Sequence, residues 1–97
     1  MCSYSFALPS DFADYELEVA AKGCFSEARM TVAGKQYRLN FYDAVRLGQE
    51  IESELANGSV FFEPNLVIVR SVTKGEMERA AEQLVRSGFL PSLTPES

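Results

Sequence analysis

Histidine is absent from this chain of 97 residues. With it go the commonest general base and the commonest transition-metal ligand of proteins. Cysteine is scarce as well. Cys2 and Cys24 form neither a CxxC pair nor a zinc-ligand spacing. No metal, no cofactor and no enzymatic activity are therefore expected. Basic residues are outnumbered, with 9 Lys and Arg against 14 Asp and Glu and a formal net charge of −5. Proteins that grip nucleic acid or anionic lipid through phosphates carry the opposite excess, so neither is an expected partner. No apolar run approaches the roughly 20 residues of a membrane span. The opening residues, Met1 to Phe12, hold no Lys or Arg and no apolar core of a secretory signal. The chain is accordingly expected in the cytoplasm, with both thiols reduced.

What is present is ordinary globular material: 46% hydrophobic and 24% charged residues, enough for one core and not for disorder. The length suits a single domain over residues 1–97. Residues 1–13 read as an N-terminal arm and 91–97 as a flexible tail.

Between these, hydrophobic periodicity predicts the elements. Tyr15, Leu17, Val19 and Ala21 alternate with Glu16 and Glu18, the pattern of a half-buried strand ending at Lys22-Gly23. Ala28, Met30 and Val32 alternate with Glu27, Arg29 and Thr31. Tyr37, Leu39 and Phe41 alternate with Gln36, Arg38 and Asn40. Ala33-Gly34 between the last two runs predicts a tight hairpin. Ala44, Leu47, Gly48, Ile51 and Leu55 then fall on one helical stripe, started by Asn40 or Asp43 and stopped at Asn57-Gly58. On that helix Arg46, Gln49, Glu50, Ser53 and Glu54 are expected to face water. Ser59 to Glu63 reads as a short strand and Leu66 to Val72 as a longer one. Thr73 and Glu76 form a capping-box signature before a second striped helix, which Ser87-Gly88 ends. The expected fold is α+β: a two-layer, mainly antiparallel sheet with two helices packed on one face, in the order β-β-β-α-β-β-α.

One stretch departs from this pattern. Leu66-Val67-Ile68-Val69 and Val60-Phe61-Phe62 are apolar on both faces of the strands they predict, and such strands are normally covered on both sides. The covering could come from the N-terminal arm or from Phe89-Leu90, from a second copy of the chain, or from another protein. Phe61, Phe62, Val67 and Val69 are the expected protein interface, with Tyr4 and Phe6 as arm contacts.

Other motifs resolve into structural roles. Met1-Cys2 resembles the start of enzymes with an N-terminal cysteine nucleophile, such as the class II glutamine amidotransferases. Ser3 and Tyr4 do not continue that start, and the chain is too short for that domain. Ala33-Gly34-Lys35-Gln36 has the Gly-Lys of a P-loop without its earlier glycine or following hydroxyl. Glu16, Glu18 and Glu27 are expected to pair across strands with Arg29 and Arg38.

The reading is a small non-enzymatic interaction domain acting as a homodimer or with a protein partner. Two alternatives remain open. One is a small-molecule-binding domain or minor enzyme with a pocket near Tyr37, Arg38 and Tyr42. The other is an acidic inhibitor or immunity-type protein presenting Glu50 and Glu54 to a basic partner.

Overall fold

The computed structural model describes residues 4–96. Its centre is the hairpin of β2 (Cys24–Val32) and β3 (Lys35–Tyr42). Ala33 and Gly34 join the strands with φ of 52° and 79°. Positive φ at both central residues gives the turn a twist that matches that of the flanking strands. The register sets Ala28 against Leu39 and Met30 against Tyr37. All four are buried, and with Phe25, Val32 and Phe41 they form the floor of the core. A bulge between Phe25 and Ala28 absorbs one slip in that register.

β1 (Tyr4–Ala7) pairs antiparallel with β2, so part of the expected arm is an edge strand. Phe6 lies opposite Met30 and meets Phe41 edge to face at 6.3 Å. On the other side β4 (Leu66–Ile68) pairs parallel with β3. The four-stranded sheet, in the order β1-β2-β3-β4, is thus mixed.

Three helices complete the α+β fold: α1 (Glu16–Lys22), α2 (Ala44–Ala56) and α3 (Lys74–Arg86). The run Tyr15 to Ala21, expected as a strand, is mostly α1. Its Glu, Leu, Ala and Lys residues are strong helix formers. Gly23 caps the helix in the left-handed region at φ 81°. Only Val19 of this helix is buried, whereas Leu17 is 86% exposed. Residues 59–63 form no strand and run as irregular chain. Pro64 follows, and Asn65 holds a φ of 53°, so the segment turns before it can extend.

α3 starts as expected. Thr73 accepts from the Glu76 amide at 3.4 Å, but the Glu76 carboxylate turns to Arg70 and Arg79 instead of reaching back. A second acceptor comes from α1, where Glu16 Oε2 takes the backbone N–H of Lys74 at 2.9 Å. Both satisfy amides that have no partner within the helix. Met77 and Ala81 of α3 and Val19 of α1 belong to one buried cluster with the sheet.

α2 differs from both. It begins where Asp43 accepts from the Arg46 amide at 2.7 Å, and none of its residues is buried. Among the described residues no helix is long and apolar enough to cross a membrane.

The chain from Pro91 onward ends against the sheet. Asn65 exchanges two hydrogen bonds with the Thr94 backbone, each 2.8 Å, and donates to the Arg38 carbonyl at 2.9 Å. The Glu96 amide reaches the Gln36 carbonyl at 2.7 Å, and its carboxylate pairs with Arg29 at 2.8 Å. The expected cross-strand pairing is thereby replaced. Arg29 and Arg38 lie directly opposite one another, and Glu96 meets the first. Glu16 and Glu18 lie on α1.

Candidate functional site

Alternation along β3 sends Tyr37, Leu39 and Phe41 into the core and Arg38, Asn40 and Tyr42 to the opposite face. Tyr37 is buried in the core cluster and Arg38 is exposed, so the structure does not bring Tyr37 together with Arg38 and Tyr42. The second face is partly roofed by the chain after α2. Asn40, only 3% exposed, donates to the Pro64 carbonyl at 2.6 Å. Phe61 meets the Tyr42 ring edge to face at 6.3 Å. The Tyr42 hydroxyl donates to Glu63 Oε1 at 3.1 Å. Burial, then this bond and the Glu63 charge, push the hydroxyl up to about 12.

The apolar surface left open lies around this roof. Ile68, the register partner of Tyr42 on β4, is 55% exposed. Phe62 and Val60 on either side of Phe61 are 80% and 81% exposed. Leu55 and Val45 of α2 are exposed too. On that helix Arg46, Glu50 and Glu54 are half-buried alongside Leu47 and Ile51, and Arg46 bonds Glu50. The charged residues expected in water therefore share the inward side. Gly23 makes room for this, since a Cβ there would come within 2.9 Å of Arg46 Cβ.

Of the residues expected at an interface, Phe62 and Tyr4 are exposed, and Phe61 is half-buried on Tyr42. Val69 is buried in the core, and Phe6 and Val67 pack against it. β4 thus turns Ile68 outward. Ile68 was invisible as the outward residue because both faces of that run are apolar. Glu50 and Glu54, the expected acidic face, sit half-buried, the first paired with Arg46 at 2.6 Å.

At the end of the sheet near α1 a cleft of about 300 Å³ opens between Tyr15, Phe25, Phe41 and Tyr42. Glu18, Glu27 and Glu63 line it, with Lys22 and the Cys24 thiol. Tyr15 is also raised above its ordinary value, first by burial and then by the Asp11 and Glu27 charges. Among the described residues no group of three or more Cys, Asp or Glu side chains is placed to hold a metal ion. Met1 and Cys2 lie outside the described residues.

Comparison with family models, with curated proteins and with solved structures found no match. The reading of function therefore stands on the geometry alone.

Proposed function

We propose that the chain is a non-enzymatic interaction domain that works by self-association. The surface that carries the proposal is the β4 edge with its neighbouring roof, where Ile68, Phe62 and Val60 stand 55%, 80% and 81% exposed. Large apolar side chains grouped beside an unpaired strand are a liability in a monomer and a resource in an interface. β4 is a terminal strand of the sheet, with β3 as its one partner. Two identical edges can meet antiparallel about a two-fold axis, so that each copy offers the other the same strand and the same apolar rim. The opposite edge, β1, is a poorer candidate because Phe6 turns to the core and Tyr4, 37% exposed, is its one large open apolar side chain.

Light scattering on the full chain across a concentration series tests this. A dimer that Ile68→Lys converts to monomer, with its circular dichroism unchanged, is the expected result. A monomer at every concentration would overturn self-association and leave the rim for a different protein. A dimer indifferent to both Ile68→Lys and Phe62→Asp would move the interface elsewhere.

A further inference from the structure

We propose that the cleft beside α1 is a binding site for a small organic cation, an ammonium group carried on an apolar body. Two independent properties of its wall converge on that chemistry. The first is aromatic: Tyr15, Phe25, Phe41 and Tyr42 line the cleft, Tyr15 half-buried and the other three buried in its wall. Aromatic faces attract ammonium groups through the ring quadrupole while accepting apolar surface. Phe12 fixes two of these rings, meeting Tyr15 edge to face at 5.5 Å and Phe25 at 5.1 Å. The rings are therefore held in place before any ligand arrives, which lowers the ordering cost of binding.

The second property is charge. Glu18, Glu27 and Glu63 line the cleft against the single ammonium of Lys22. None of the three is in an ion pair among the described residues, whereas Glu50, Glu76, Glu82 and Glu96 all are. Glu63 is held at the wall by the Tyr42 hydroxyl. That phenol stays protonated at neutral pH and keeps its hydrogen bond to the carboxylate.

The arrangement also selects against a bare metal. A hard cation needs several oxygens converging at about 2.0–2.6 Å, and no such group exists among the described residues. Carboxylates spread around a cleft of about 300 Å³ suit a cation with a body. That volume lies at the lower end of small-molecule sites, roughly 300–1,000 Å³.

The test is an amide chemical-shift titration of the full chain with benzylammonium, repeated with benzyl alcohol as its neutral counterpart. Saturable shifts confined to residues 15–27, Phe41, Tyr42 and Glu63 are expected. The alcohol should bind about ten-fold more weakly, as one ammonium over an aromatic wall with carboxylates allows. Glu27→Gln combined with Glu63→Gln should weaken benzylammonium at least about five-fold, because the amide keeps the Tyr42 hydrogen bond and loses the charge. Alkylation of Cys24 by iodoacetamide should slow when benzylammonium is bound. No saturable shift up to about 20 mM, a limit near the weakest affinity worth calling a site, would overturn the proposal. So would equal binding of the alcohol, or shifts centred away from the cleft. The comparison of the two probes needs no variant, so a failure of the double variant to fold leaves the test intact.

Discussion

The Tyr42 hydroxyl donates to Glu63 across 3.1 Å and so ties the end of β3 to irregular chain 21 residues further on. Burial is the main reason this phenol holds its proton to about pH 12, and the bond to Glu63 adds to it. The folded state then binds the proton more tightly than the unfolded chain, whose tyrosines lose theirs near 10. Stability from this group is complete below pH 10 and is lost as the pH climbs from 10 toward 12. Tyr42→Phe should cost about 1 kcal/mol near neutral pH, the usual worth of a hydrogen bond, and should show a smaller further loss on the alkaline side. Urea unfolding of both proteins across the alkaline range measures this. Parallel alkaline losses in the two proteins would assign the titration to another group.

Leu17 and Val19 separate the helical reading of this segment from the strand reading. In a strand both would lie on the buried face, but in α1 Leu17 is 86% exposed and Val19 only 7%. Val19→Ala should destabilise by about 1–3 kcal/mol through lost burial and a residual cavity. Leu17→Ala should change stability by less than about 0.5 kcal/mol. Similar losses from both substitutions, read from chemical denaturation, would contradict the helix.

These two residues also show where the sequence was legible. Period-two alternation located β2 and β3 because each ran on one face for eight or nine residues and met at a turn of residues suited to positive φ. The two long helices were legible from their stripes and caps. Tyr15 to Ala21 failed because seven residues with two glutamates satisfy either period, and composition was the deciding signal. β1 is only four residues long, too short for alternation to rise above an arm. The outward side of β4 could not be chosen from a run that is apolar throughout. The cleft joins residues of α1, β2, β3 and the chain before β4, and no local pattern announces such a meeting.

Gly23 and Gly34 offer a matched pair of backbone tests. Both have φ near 80°, at 81° and 79°. A Cβ on Gly34 meets open space, whereas on Gly23 it would lie 2.6 Å from Asp43 Oδ2. Gly34→Ala should cost about 1–2 kcal/mol, the strain of the left-handed region alone. Gly23→Ala should cost about 2 kcal/mol more, since Asp43 is held as the cap of α2 and overpacking adds to the strain. Unfolding midpoints of the two variants give the difference directly. Equal losses would mean that Asp43 moves aside freely.

Asn65 acts as a side-chain peptide. Its amide reaches the Arg38 carbonyl and exchanges two bonds with Thr94, and its backbone φ is 53°. Asn65→Ala would delete all three bonds at an exposed position and leave Ala in a strained region, for a loss of about 2 kcal/mol. Amide exchange at Thr94 and Glu96 should accelerate at the same time. If exchange there stayed slow in the variant, the bond from Glu96 to Gln36 would be holding the terminus by itself.

The parallel pairing of β3 with β4 carries a kinetic consequence. β1, β2 and β3 can zip by turns and short returns, but Leu66 reaches Asn40 only after α2 and the chain beyond it have been traversed. The entropy of closing that loop must be met before Ile68 and Val67 gain any contact with the sheet. The meander is therefore the natural nucleus, and β4 with α3 docks onto a surface already built. Destabilising substitutions at Met30 or Leu39 should slow folding, whereas those at Val67 or Met77 should chiefly hasten unfolding. The rim that would join two copies is thus the last part of each chain to form, and association should follow folding instead of competing with it.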